Sequence, residues 1–288
     1  GIMPSIVIQT DIELKIYVKN LKNKGLSIGF VPTMGCLHDG HLSLIQASKK
    51  KSDITIVSIY VNPTQFGKNE DFSSYPKPLN SDIELCNQKQ VDAIFIPSTA
   101  HLYPEQLSRA TQIIVPTYST QLCGKTRKNF FRGVCMVVLR LFNLVQADHA
   151  YFGEKDYQQL FIIKKMVKDL FLRIEIIGCP TQRDISGLAL SSRNKYLSTN
   201  EKEKASAIYA SFETISTQIS NGIINSEILI SLVQPIISDS GIDIDYFEIL
   251  NQRSLRKCKI VTKESRVFFG GYMGKTRLID NYSLSNSF

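Results

Sequence analysis

Apolar residues in this chain come in blocks whose spacing switches between that of a buried strand and that of a helix. An apolar run over 28–34 stops at Gly35, and from about Asp39 onward Leu42, Leu44, Ile45 and Ala47 fall on one side of a helical pattern. The alternation repeats: 53–61 reads as a strand, 79–90 as a helix and 92–97 as a strand. After a loop-rich stretch, 131–145 reads as an apolar helix, 150–153 as a strand end, 158–170 as a helix and 173–180 as a strand. Repeated β-α-β units predict a mostly parallel sheet. Ligands of such sheets sit beyond the carboxyl ends of the strands, so the loops after Met34, Val61, Phe152 and Ile177 are expected to face one.

The pattern changes near Gln182. Helix formers over 201–213 and a second helix over 226–238 precede strand-like stretches at 245–250 and 266–272. A small α+β domain of about 100 residues is the predicted content. The chain shows no internal repeat and no low-complexity tract.

With 288 residues and 43% hydrophobic content the chain can bury a large core. Thirty-four basic residues against 26 acidic ones give a net charge of +8, which suits nucleic acid or small anionic substrates. The basic residues are spread out, apart from Lys49-Lys50-Lys51 and the loop 125–128, and no aromatic-basic pattern of an RNA module occurs, so small polyanions are favoured and no nucleic-acid partner is expected. Six scattered cysteines without a C-x-x-C pair read as packed, reduced thiols. The longest apolar run, 134–145, contains Arg140 and Asn143 and falls short of a membrane span. The first residues lack the pattern of a signal peptide, and Gly1-Ile2 ahead of Met3 has the look of an expression remnant. A cytoplasmic protein without membrane contact is the expectation.

Four loops carry polar residues that a plain turn does not need. In P-T-M-G-C-L-H-D-G-H, His38 and His41 lie on one side of a first helical turn, where they could meet phosphate and the charge developing on it. Two surface histidines, or a zinc pair, are the competing readings. Zinc proteases space their histidines by four around a glutamate, whereas Asp39-Gly40 fills a spacing of three here. In N-P-T-Q-F-G, Asn62-Pro63 is ordinary turn chemistry, but Gln65 offers a donor and an acceptor to a substrate with hydroxyl and carboxylate groups. In F-G-E-K-D-Y-Q-Q, Gly153 permits close approach, Lys155 supplies a compact cation and Asp156 can accept from ribose hydroxyls, although a solvated helix start reads equally well. In A-L-S-S-R-N, Ser191, Ser192 and Arg193 gather two hydroxyls and a guanidinium in what could also be a capping linker.

Taken together these loops resemble the pantothenate synthetase family. Further matching stretches are F-R-G-V at 131–134, L-F-N-L-V-Q-A-D at 141–148, G-L-A-L-S-S-R-N-K-Y-L at 187–197 and T-R-L-I-D-N at 276–281, in family order along nearly the whole chain. The resemblance implies a Rossmann-like parallel-sheet N-terminal domain (1–181) that binds ATP and pantoate, and a smaller α+β C-terminal domain (182–288) that completes the ATP site. It implies ATP-dependent condensation of pantoate with β-alanine through a pantoyl adenylate, with Mg²⁺, in a homodimer. Carried over by motif, Met34, Gly35, Cys36, Leu37, His38, Asp39, Gly40 and His41 would hold ATP phosphates, His41 in the family's proton-donor role beside His38 and Lys155. Gly153, Glu154, Lys155, Asp156, Gln182, Leu190, Ser191, Ser192 and Arg193 would complete the ATP site, while Gln65 and Gln159 would hold pantoate.

Two departures lie in loops that border the substrates. The family's Y-P-R-T reads Y-P-K-P here, Tyr75 to Pro78, and its Gly-His before Phe131 reads Asn129-Phe130. The polar loop 67–75 is the candidate lid over a water-sensitive intermediate. Two other classes compete: an adenylyltransferase that keeps the histidines but does not need Gln65 and Gln159, and a non-catalytic RNA binder whose affinity falls steeply with salt.

Overall fold

The structure is a computed structural model that describes residues 3–288; Gly1 and Ile2, where the expression remnant was read, lie outside the described residues. The chain falls into two compact units that part between Pro180 and Thr181.

The first unit runs β1 (Ile6–Ile8), α1 (Asp11–Asn23), β2 (Ile28–Thr33), α2 (Asp39–Lys51), β3 (Ile54–Ile59), α3 (Leu79–Gln88) and β4 (Ala93–Phe95). Two single turns, α4 (Thr99–Leu102) and α5 (Cys123–Thr126), lead to α6 (Phe130–Val145), β5 (His149–Gly153), α7 (Tyr157–Asp169) and β6 (Glu175–Cys179). All six strands are parallel, in the order β1-β4-β3-β2-β5-β6. The register of β2 on β3 runs without a slip from Ile28 against Ile54 to Thr33 against Ile59. Ile28, Phe30 and Val31 of β2 are fully buried because helices cover both faces, which is why the strand reads as a continuous apolar run. Val31, Val57, Ile94 and Tyr151 of the sheet pack with Leu44 and Ile45 of α2 in one cluster. From β2 the chain moves outward to β3 and β4 and later returns to β2's other side as β5, so the strand order reverses between β2 and β5. That reversal opens a crevice at the carboxyl ends of the strands.

The second unit contains α8 (Thr199–Ala205), α9 (Ala207–Ser220), α10 (Ser226–Ser238) and an antiparallel sheet of β7 (Ile242–Asn251), β8 (Ser265–Met273) and β9 (Thr276–Ser283) in that order. Its own core gathers Phe212, Ile215, Leu229, Val233, Val267 and Phe269. The helix expected over 201–213 is interrupted at Ser206. Both the amide and the hydroxyl of that residue turn to the Glu203 carbonyl, three residues back, and the α-helical ladder breaks there.

Candidate functional site

At the end of β2 the backbone turns sharply through Gly35 and Cys36, which take left-handed φ values of +78° and +53°. The Thr33 hydroxyl accepts from the Gly35 amide at 3.0 Å, and both oxygens of Asp82, a buried residue at the start of α3, accept from the amides of Cys36 (2.8 Å) and Leu37 (2.9 Å). Two charge-assisted bonds from one carboxylate offset the strain of a non-glycine residue at positive φ. His38 then caps α2: its Nδ1 accepts from the Gly40 amide at 3.0 Å, while His41 Nδ1 accepts from the His38 amide at 3.2 Å. A Cβ on residue 40 would stand 2.6 Å from His38 Cε1, so glycine there is what lets the ring lie over the helix start.

This reciprocal cap sets the tautomer that each ring takes when neutral. With Nδ1 accepting from backbone, a neutral imidazole carries its proton on Nε2. Burial, then the neighbouring His38 and Lys155 charges, pull the His41 pKa down to about 3, so the ring is neutral near pH 7. The two rings lie 4.1 Å apart between centroids, tilted by 46°. His41 thus presents a neutral N–H donor, and a donor role for it takes the form of an Nε2–H hydrogen bond rather than transfer of a proton from an imidazolium. A second consequence alters the expectation for Met34 to His41. The amides of Gly35, Cys36, Leu37, His38 and Gly40 all have partners within the fold. Side chains, more than these amides, are therefore available to an anion.

Gln65 lies in a single 3₁₀ turn, Pro63–Gln65, beyond β3. Asn62, 1% exposed, donates from Nδ2 to Gln65 Oε1 (3.1 Å) and to the Gly133 carbonyl (3.1 Å), while its Oδ1 accepts from the hydroxyls of Tyr103 (2.9 Å) and Thr64 (3.0 Å). With its oxygen engaged by Asn62, the Gln65 amide still has N–H donors to offer. The close approach of this turn to α6 requires Gly133, whose Cβ would stand 2.2 Å from the Thr64 carbonyl oxygen.

At the end of β5, Glu154–Asp156 form a 3₁₀ turn that leads directly into α7, and Lys155 acts electrostatically on His41. Of the neighbouring glutamines, Gln158 is structural. Buried in the first turn of α7, it donates to the carbonyls of Tyr118 (2.9 Å) and Gln121 (2.8 Å) and accepts from the Cys123 amide (3.2 Å). Among the described residues Gln159 has no such anchor. No hydrogen bond joins Gln65 to Gln159, but β3, β2 and β5 are adjacent, so their loops, with the histidine turn in the middle, hang side by side about 5 Å apart per strand.

In the second unit Gln182 and Leu190 face each other across a short hairpin, the Leu190 amide donating to the Gln182 carbonyl at 2.9 Å. Ser191 Oγ caps the following 3₁₀ turn, Ser192–Tyr196, by accepting from the Arg193 amide at 3.2 Å. Ser192 is buried and Gln182 is exposed.

The expected lid, 67–75, is held down here. Arg127 grips Glu70 through Nε (2.7 Å) and Nη2 (3.1 Å), and Phe66 packs edge-on against Phe72 and Tyr75. Both family departures find a physical account. Asn129 takes a left-handed φ of +66°, which asparagine tolerates nearly as glycine does, and Phe130 lies 3.8 Å beneath the Arg127 guanidinium. Lys77 sits 5.4 Å over the Phe72 ring.

No disulfide joins the six cysteines, five of which are buried, and burial pushes the thiols of Cys86 and Cys135 up to about 12. Among the described residues no group of three or more His, Cys, Asp or Glu side chains could hold a metal ion, and no helix is long and apolar enough to cross a membrane. Asp82 and the bridging role of Asn62 escaped the sequence reading. Asp82 contacts the turn from 46 positions away and nothing local marks it, whereas Asn62 was visible as a polar residue directly after an apolar strand.

The family described as Pantoate-beta-alanine ligase matches residues 6–283. Pantothenate synthetase of Pseudothermotoga lettingae is 46% identical over 277 residues, covering 96% of this chain and 98% of its own, and that of Enterococcus faecalis is 43% identical over 279 residues, with 96% and 98% covered. Among solved structures, pantothenate synthetase from Thermus thermophilus superposes with a TM-score of 0.90 at 35% identity, covering 97% of this chain and 99% of its own. Pantoate-beta-alanine ligase from Francisella tularensis, complexed with β,γ-ATP and β-alanine, superposes with a TM-score of 0.82 at 37% identity, with 97% and 98% covered.

Proposed function

This chain belongs to the pantoate-β-alanine ligase family, and from that premise we propose how its own residues divide the work. It is a ligase that uses ATP to join pantoate to β-alanine. An unactivated carboxylate does not acylate an amine at useful rates. In the proposed sequence a pantoate carboxylate oxygen attacks the α-phosphorus of ATP, and the bond to diphosphate breaks. The β-alanine amine then attacks the acyl carbon of the pantoyl adenylate, AMP leaves with the bonding electron pair, and the amine releases a proton as pantothenate forms.

Negative charge grows on the phosphates in the first step. The Nε2–H donors of His38 and His41 and the cation of Lys155 are assigned to stabilise it, as fixed dipoles and a fixed charge that need no reorganisation. Gln65, through its NH₂ donor, and Gln159 are assigned to pantoate. The 153–156 turn and, from the second unit, Gln182, Leu190 and 191–193 are assigned to ATP. No cluster of protein ligands for a resident metal occurs among the described residues, so magnesium is assigned as part of the substrate, carried on ATP oxygens and water. A cytoplasmic homodimer acting on small molecules, without a nucleic-acid partner, is the proposed setting; the cysteines, none of them in a disulfide, fit the compartment.

The observation that carries this reading is the reciprocally capped histidine pair in the field of Lys155, at the point where the strand order reverses. Incubating the protein with ATP and pantoate, with and without β-alanine, tests it. Pantothenate and AMP in equal amounts, dependent on all three substrates, is the expected result; ADP as the nucleotide product, or no dependence on pantoate, contradicts it.

A further inference from the structure

The T-R-L-I-D-N stretch at 276–281 takes no part in the chemistry above, yet its aspartate is one of the most deeply buried charges of the second unit. Asp280 is 4% exposed and binds Arg183 in two parallel bonds, Nη1 to Oδ2 at 2.6 Å and Nη2 to Oδ1 at 3.0 Å. The same guanidinium donates to the carbonyls of Gly187 (3.1 Å) and Asn281 (3.2 Å) and lies 4.6 Å from the Tyr209 ring centroid. Arg183 sits in the first arm of the hairpin that leads into the Ser191 turn, paired with Ala189 in the second arm. From Ala189 the connection continues: its carbonyl accepts from Asn194 Nδ2 at 3.0 Å, beyond Arg193.

Holding a short hairpin onto a sheet does not call for a buried ion pair, because apolar residues of similar volume commonly stabilise as well. A planar fork with several fixed acceptors supplies direction instead: it admits one placement of the hairpin on β9. We propose that Arg183 and Asp280 are positioning residues for the reaction, fixing 182–193 in the geometry that ATP requires while touching no substrate themselves. The proposal rests on the assignment of that segment to ATP.

The test compares three full-length variants. Arg183→Met with Asp280→Leu removes both charges together and leaves an apolar contact of similar size; Arg183→Lys keeps the charge and loses the fork; Arg193→Ala probes the loop itself. Thermal midpoints and separate KM values for ATP and pantoate are measured for each. The double variant is expected to fold and to show an ATP KM raised about 10- to 100-fold, as misplacement of a binding element does, with pantoate KM within about twofold of wild type. Arg183→Lys is expected to show a smaller rise in ATP KM at a near-normal midpoint, and it decides the matter if the double variant does not fold. Wild-type ATP KM in whichever of these variants folds, alongside an impaired Arg193→Ala, overturns the positioning role and leaves the loop assignment standing. Wild-type ATP KM in Arg193→Ala overturns the loop assignment, and the positioning role with it.

Discussion

The histidine turn of the first unit and the 182–193 segment of the second are both assigned to ATP, and they keep their shapes by different means. In the turn, His38 and His41 cap one another across three positions, Thr33 takes the Gly35 amide, and Asp82 reaches in from afar. In the second segment the main restraint is Asp280, 97 positions from Arg183. The turn is held largely by local bonds, so the residues that would do the chemistry also build the site. The hairpin separates these tasks, with Arg183 and Asp280 supporting and 191–193 presented. Substitutions in the turn should therefore damage stability and turnover together, whereas in the hairpin the two effects can be pulled apart.

His41→Ala is the strongest break of this comparison. It removes an N–H donor aimed at developing charge, which typically costs about 10²- to 10³-fold in turnover. It also leaves the His38 amide without its partner, at a cost of about 1 kcal/mol in stability. Steady-state kinetics and denaturant melts on the same preparation check both numbers, and full turnover in the variant removes His41 from the mechanism.

Gln65→Glu comes next. The new carboxylate keeps the bond from Asn62 but replaces the NH₂ donor assigned to pantoate by a negative oxygen. Pantoate KM should rise by the equivalent of about 1 to 3 kcal/mol, while ATP affinity measured by calorimetry stays close to wild type. A defect confined to ATP would move Gln65 out of the pantoate site.

Asp82→Asn tests how far the turn depends on this distant partner. The amide can accept one of the two backbone N–H groups and presents a donor to the other, so stability should fall by about 1 to 3 kcal/mol. Turnover should fall with it. An unchanged melting curve would mean that the reciprocal cap suffices to hold the strained backbone.

The smallest effect is in pH. His41 is neutral in the fold down to about pH 3, while an unfolded histidine takes up its proton near 6.5. Between those values the unfolded chain binds the extra proton, so His41 lowers stability as pH falls through that window and contributes nothing above it. His41 keeps some solvent exposure, so the effect is of order 1 kcal/mol by pH 5. His41→Gln should show a shallower loss of stability between pH 6.5 and 4 than wild type, and parallel curves would contradict the burial of a neutral ring.

The same contrast explains what could be read from the sequence. Central strands and the helices beside them were legible because burial on both faces leaves long apolar runs, as in β2 and α6. β1 was not: it is three residues long and leaves Ile6 and Val7 exposed at the sheet edge. The histidine turn was legible as a local motif, with glycines where the backbone bends and imidazoles at the helix start. Its wiring was not, since the partner Asp82 lies on another element and looks in the sequence like any acidic residue of a helix. The hairpin shows the other limit. Ser191 to Arg193 stood out as chemistry, while Arg183, among ordinary polar neighbours, gave no sign that it pairs with a family motif near the other end of the unit.

The central claim is that pantoate is activated by adenylation over the histidine turn. Pantoate labelled with ¹⁸O in both carboxylate oxygens tests it most directly, with AMP and any inorganic phosphate products analysed by mass spectrometry after turnover with ATP and β-alanine. Attack of the carboxylate on the α-phosphorus transfers one labelled oxygen to each AMP and leaves diphosphate unlabelled, and His41→Ala should slow the appearance of label in AMP by the same factor as it slows turnover. Unlabelled AMP, or label in orthophosphate with ADP as the nucleotide, would contradict the adenylate and the role of the turn with it.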